Sequence, residues 1–294
     1  MCRPPIGGAR RAARGPWHDC FVTDQAERYD RIAAGYARWW APVIAPRAVD
    51  ALALLEPVVA AGARRIVDIG TGTGTLAVEA IRRWPAVEIV GIDASREMAE
   101  AAGREADRLL AGPDRRRFET RVAFADELPF EDASFDAAMS SFVFQLVPNR
   151  ARALREARRV LRPGGTLAYV SWLADDRLFA ADADLDDALD EVGVGPREPE
   201  GRPGDVPSVE RAILELRRAG YRDVTATRGL LEHPFDINGY VAFITQFDEA
   251  DTYESLDRVE RRRFEQSLRR RLARRDADEL VLRLPVVAAR AVRT

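Results

Sequence analysis

From Arg64 onward, short runs of β-branched and other apolar residues alternate with longer segments whose apolar residues recur every three or four positions. This alternation predicts a parallel sheet covered by helices on both faces. The expected strands are Arg65 to Ile69, Val87 to Asp93, Arg121 to Ala125, Phe135 to Ser140 and Gly165 to Ser171. Helical spacing fills 75–83, 95–110 and 148–161, each long enough for a right-handed crossover. The last of these stops at Leu161-Arg162-Pro163-Gly164-Gly165, where proline and glycines end a helix.

The flanks have a different pattern. Residues 1–22 carry Pro4-Pro5, Gly7-Gly8 and Gly15-Pro16 with no sustained period, which reads as a flexible tail. A capping sequence at Thr23 to Glu27 starts a helix on which Tyr29, Ile32, Ala33, Tyr36 and Trp39-Trp40 share a face. Pro42 and Pro46 interrupt it, and a second helix runs from Arg47 to about Ala60 with Val49, Leu52, Leu55 and Val59 inward. Beyond Trp172 a helix is expected over Ala174 to Asp190, a loop over Gly193 to Pro207 and a capped helix over Ser208 to Ala219. A sixth strand follows over Tyr221 to Leu231, then helices over Asn238 to Arg275. The last strand, Glu279 to Val292, contains Pro285, which argues for a bulge or an edge position.

Composition narrows the class. The chain has 294 residues, 47% hydrophobic, and a formal net charge of −3, the numbers of a soluble globular protein. All basic residues are arginine, and the runs at 115–117, 261–263 and 269–271 alternate with acids at a pI near 5.7, so they read as solvated helix faces rather than a nucleic-acid patch. Cys2 and Cys20 have no metal-like or disulfide-framework spacing. No metal site is expected. There is no run of about eighteen apolar residues to span a membrane and no hydrophobic signal core at the N-terminus, so the expected location is cytoplasmic.

The candidate chemistry lies in Val67-Asp68-Ile69-Gly70-Thr71-Gly72-Thr73-Gly74, a strand running into a glycine turn that opens a helix. Alternate glycines free the backbone to take positive φ and let a ligand lie against it. An acid, Asp93, ends the next strand, where its carboxylate can accept both ribose hydroxyls of a nucleoside. Dinucleotide and other adenosine-binding folds share this arrangement. The dinucleotide spacing places a glycine where Thr75 stands, and Asp68 suits a ligand with a positively charged amine better than a pyrophosphate.

The run 67–74 resembles the first motif of class I S-adenosylmethionine-dependent methyltransferases, small-molecule type, including the quinone-biosynthesis group. Gly91-Ile92-Asp93-Ala94-Ser95 resembles their ribose-binding strand end. Ala125 to Phe130 resembles the adenine-facing loop, Ser134 to Leu146 the fourth-strand motif, and Val160 to Leu167 the turn before strand five. Tyr29-Asp30-Arg31-Ile32-Ala33 to Tyr36 resembles their lid. The matches cover roughly residues 25–173.

The resemblance implies a Rossmann-like, doubly wound α/β sheet of seven strands, mostly parallel with the last antiparallel beside the fifth, plus a helical lid and cover. It divides the chain into a tail (1–22), lid helices (23–62), a cofactor-binding core (63–173) and a C-terminal part (174–294) with an inserted acceptor-pocket cover. The implied cofactor is S-adenosylmethionine, held by Tyr36, Asp68, Gly70, Thr71, Gly72, Gly74, Asp93, Ala94, Met98, Asp126, Glu127, Ser141 and Phe142. The implied partner is a small-molecule acceptor methylated at oxygen, carbon or nitrogen, with no nucleic acid and no membrane, by a monomer or homodimer. Transfer needs alignment rather than a nucleophilic side chain, and a general base only where the acceptor loses a proton. His233 is the candidate base; its place before Pro234 also fits a loop residue. His18 is in the tail, and Gln145 stands where related sequences often have histidine. The alternatives are a non-catalytic regulator that binds the same cofactor and a nicotinamide-dependent oxidoreductase.

Overall fold

A computed structural model of the chain describes residues 16–175, 179–195 and 204–294, with side chains described from Gln25 onward. Helix α1 (Pro16–Gly35) passes through a π-helical segment (Tyr36–Trp40) into α2 (Ala41–Ala48) and α3 (Asp50–Ala60). The sheet region then runs β1 (Arg65–Ile69), α4 (Thr75–Arg83), β2 (Glu88–Asp93), α5 (Arg96–Leu109), α6 (Gly112–Arg115), β3 (Phe118–Val122), β4 (Phe135–Ser141), α7 (Arg150–Val160) and β5 (Leu161–Trp172). After α8 (Ala180–Asp190) and α9 (Val209–Arg218) comes β6 (Tyr221–Pro234). A helical insertion follows: α10 (Ile237–Phe243), a π segment (Ile244–Asp248), α11 (Ala250–Ser255) and α12 (Arg258–Leu272). Strand β7 (Val281–Arg293) ends the chain.

The strands form one seven-stranded sheet in the order 3-2-1-4-5-7-6. β1 to β5 are parallel, and β7 is antiparallel between β5 and β6. This is the Rossmann-like architecture of methyltransferases. Both faces are covered: Ile66, Ile89, Met139 and Ala168 pack under α3 and α4, while Val67, Val90, Ala138 and Leu167 pack under α7 and α9. Asp136 ties the two halves at their starts, its Oδ2 accepting from Arg64 N and Arg65 N at 2.9 Å each.

Several boundaries differ from the pattern reading. The third strand starts at Phe118 rather than Arg121, because Ile89 to Asp93 pair with Phe118 to Val122 and the Phe118 ring is buried. Ala123 N still donates to Asp93 O at 2.8 Å, and the chain then turns at Phe124 to Glu127. Helix α1 begins at Pro16 rather than Thr23, so residues 16–22 are helical; proline is tolerated in a first turn, where its missing N–H has no intrahelical partner to lose. Residues 1–15, with Cys2 and most of the expected tail, lie outside the described residues, as do residues 196–203 of the expected loop and the side chains of His18 and Cys20. Pro42 lies in the first turn of α2 and Pro46 inside it, so neither ends the helix, and the division falls at Val49.

Strand β7 is interior, not an edge. Its ladder to β5 runs from Val292 to Val286, and beyond it Leu173 N donates to Pro285 O at 2.9 Å. Pro285 therefore faces the point where β5 ends, and it supplies the acceptor needed there without a donor.

Candidate functional site

The order of the sheet reverses between β1 and β4, and side chains at the carboxyl ends of these strands and of β2 border an open crevice. β1 runs into the turn Gly70 to Gly74. Gly70, Gly72 and Gly74 have φ of 72°, 54° and 83°, values that glycine takes without strain. At Gly70 a Cβ would lie 2.2 Å from Val143, whereas at Gly72 it would meet nothing within 4 Å, so Gly72 faces open space. Gly74 caps α4 and packs on Ala102, and the N-terminus of α4 lies just behind the turn.

The crevice, counted out through its open mouth into solvent, spans about 800 Å³. Of the residues expected at a cofactor site, Tyr36, Gly70, Gly72, Asp93, Ala94, Met98, Asp126, Ser141 and Phe142 line it. Thr71 instead borders a smaller adjoining cavity of about 330 Å³, together with Tyr36, Gly70, Gly72 and Ser141. Asp68, just before the turn, and Gly74, at its end, line neither space. Glu127 is exposed and faces Arg152 at 3.7 Å, outside the crevice. Sequence reasoning missed the wall made by Leu146, Val147 and Pro148 after β4 and the contribution of Gln25 and Ala26 from α1. The apolar run after the fourth strand was the available signal for the first; nothing local marks the second.

Asp93 Oδ2 accepts from Gly72 N at 2.8 Å and Oδ1 from Ser95 N at 2.9 Å. Burial pushes its carboxyl up to about 6, against the pull of those N–H groups and with a further push from Asp30. Asp68 is buried, and its Oδ2 accepts from Thr71 Oγ1 at 2.8 Å. Its Oδ1 is buried without a hydrogen-bond partner, and burial pushes the group up to about 7. A buried carboxylate with one empty acceptor suits a ligand that brings a cationic donor. Tyr36 is held as the neutral phenol, chiefly by burial and also by the nearby Tyr29 and Asp93.

Phe142 follows β4 at φ 56°, a conformation rare for a bulky residue, and it stacks on Trp172 with centroids 4.1 Å apart. Trp172 contacts Trp40, and Trp40 contacts Phe243, so aromatic rings connect the crevice to the helical insertion. Gln145 is buried with Oε1 accepting from Ser171 Oγ at 2.7 Å. His233 lies outside the crevice, on β6 opposite Leu282, with its ring 4.6 Å from Phe235, and burial pulls its pKa down.

Residues 67–169 match the family described as methyltransferase domain. The matched range opens at β1 and ends in β5, so it contains the glycine turn, Asp93, Asp126 and the β4 end. Over 113 residues the chain is 41% identical to the ubiquinone/menaquinone biosynthesis C-methyltransferase UbiE of Geobacter sp. strain M21, covering 38% of this chain and 46% of that protein. It is 34% identical over 174 residues to the demethylmenaquinone methyltransferase of Deinococcus radiodurans, covering 58% and 65%. The alignments thus span about half to two thirds of these relatives. Phosphoethanolamine N-methyltransferase 2 of Haemonchus contortus, solved with phosphomonomethylethanolamine and S-adenosylhomocysteine, shares the fold at 18% identity and TM-score 0.50, over 83% of this chain and 52% of that one. Among the described residues, no helix is long and apolar enough to cross a membrane.

Proposed function

We propose that the protein transfers a methyl group from S-adenosylmethionine to a small-molecule acceptor. The observation that carries this reading is the crevice itself, where the glycine turn, Asp93 and Asp126 converge, with the partnerless oxygen of Asp68 just before the turn. When bound, the cofactor supplies an electrophilic methyl group on a sulfonium. Asp93 would accept from the ribose hydroxyls, and Asp126, buried at the crevice wall, would meet the adenine edge. Ile92, Ala94, Leu146 and Val147 supply apolar surface for the base. The open side of Gly72 lets the ligand approach the backbone, and Asp68 would take the amino group. Tyr36, Ser141 and Phe142 would border the transferring methyl group, exclude water and hold the line of displacement.

The names of the relatives, which act in quinone biosynthesis, support a small acceptor rather than a macromolecule. Titration calorimetry with S-adenosylhomocysteine tests the cofactor, and transfer of label from methyl-labelled S-adenosylmethionine into a small-molecule fraction tests the reaction. Micromolar binding with transfer is expected. No binding at millimolar ligand overturns the reading, and binding without transfer to any acceptor pool favours a regulator.

A further inference from the structure

One carboxylate fastens α1 to the N-terminus of α5 beside the crevice. Asp30 Oδ1 accepts from Ser95 Oγ at 2.6 Å and from Glu97 N at 3.1 Å. Ser95 is buried and caps α5, its Oγ accepting from Met98 N at 3.0 Å. Asp30 therefore completes the α5 cap from a different helix, at an N-terminus where negative charge is favoured. The Ser95 hydrogen bond holds the Asp30 carboxyl below the usual carboxylate value.

The fastened face of α1 is also the outer wall of the crevice. Gln25, Ala26 and Tyr29 line that space, while Asp30 does not. At its other end α1 reaches Gly35, where a Cβ would lie 2.8 Å from the Phe247 ring, and continues into the π segment Tyr36–Trp40. Phe247 belongs to the second π segment. Wide π turns replace the regular helical ladder and recur at functional sites. The helix is thus pinned at Gly35 and clasped at Asp30.

We propose, on the methyltransferase reading above, that α1 is a lid hinged at Gly35 and latched by Asp30 on Ser95 and Glu97, and that this latch sets the rate at which S-adenosyl ligands enter and leave the crevice. Asp30 is a positioning residue: it joins protein groups only. Weakening the latch raises the open fraction with the crevice filled or empty, so entry and exit accelerate together and affinity barely moves. Loss of a direct ligand contact raises the exit rate alone. A purely structural contact lowers the melting temperature without speeding exchange.

Stopped-flow association and dissociation of S-adenosylhomocysteine, on the full chain and its Asp30→Ala and Asp30→Asn variants, tests the latch. Asp30→Ala is expected to raise both rate constants roughly tenfold, equivalent to about 1.4 kcal/mol, with Kd moving less than about threefold. Asp30→Asn keeps an acceptor and raises both rates less; it serves if the alanine variant does not fold. Hydrogen exchange of the α1 amides, which needs no ligand, is expected to quicken in the same order. Unchanged α1 exchange, or a change confined to the dissociation rate, overturns the latch. Failure of the unaltered chain to bind S-adenosylhomocysteine overturns the methyltransferase reading instead, with the exchange measurement still deciding the latch.

Discussion

Replacing Asp68 with asparagine is expected to make the protein more stable and a worse binder of S-adenosyl ligands. Asp68 is buried just before the glycine turn, and burial raises its carboxyl from 3.8 to about 7. Because the folded value is the higher one, the folded state holds the proton more tightly. Stability associated with the neutral acid is present below about pH 4 and is lost as pH rises to about 7. At 1.36 kcal/mol per pKa unit, the full loss is on the order of 4 kcal/mol. Asparagine is neutral throughout and can still accept from the Thr71 hydroxyl, which bonds Asp68 at 2.8 Å in the parent chain. The variant's advantage should therefore widen by about 2 to 3 kcal/mol between pH 5 and pH 8. For a chain of this size that is a gap in melting temperature growing by roughly 5 °C. Paired thermal melts of variant and parent across that range measure it, and titrating groups not coupled to Asp68 cancel in the difference. A gap that stays constant with pH refutes a desolvated charge at Asp68. Calorimetry with S-adenosylhomocysteine on the same samples should show affinity weakened at least about tenfold, the loss of a charge-assisted contact.

Gly72→Arg should leave a folded chain, destabilised by about 1 to 2 kcal/mol for a side chain at φ 54°, with no calorimetric binding because the new side chain extends into the open crevice; retained binding would place the ligand elsewhere. Asp93→Ala should weaken S-adenosylhomocysteine roughly ten- to a hundredfold through lost charge-assisted hydrogen bonds, and unchanged affinity would remove Asp93 from the site. His233→Gln should leave the rate of label transfer within about twofold, since the ring packs on Phe235 outside the crevice; a drop of a hundredfold or more would make it the general base.

Local signals made the sheet core readable. β1 is a β-branched run bounded by arginines and glycines, and its register with β2 and β4 puts Asp93 and Ser141 beside the turn. The pattern sets β3 three residues late because Val122 to Ala125 is a continuous apolar run, and only the burial of Phe118 against the sheet distinguishes the true window. Pro285 misled for a similar reason: its tolerance depends on where β5 ends, which lies far away in sequence. The Asp30 clasp joins residues 65 positions apart, so no period or motif announces it. The glycine turn was the most legible part of the site, because positive φ at alternate positions restricts residue choice strongly.

Three departures from ordinary folding rules lie together at the carboxyl ends of β1, β2 and β4. Asp68 and Asp93 are carboxylates that burial makes costly to ionise, and Phe142 takes a backbone conformation bulky residues avoid. A protein selected for stability alone has little reason to keep all three within the turn and strand ends of β1, β2 and β4. A ligand carrying cationic and hydroxyl donors would reverse the sign of the electrostatic part, since donors that reach Asp68 and Asp93 favour their ionised forms and draw both pKa values down. Binding should therefore release protons near pH 6 to 7, between the two raised values, and be nearly proton-neutral above pH 8. That coupling distinguishes acids that receive the ligand from acids that merely brace the turn, because a bracing acid keeps its pKa when the crevice fills.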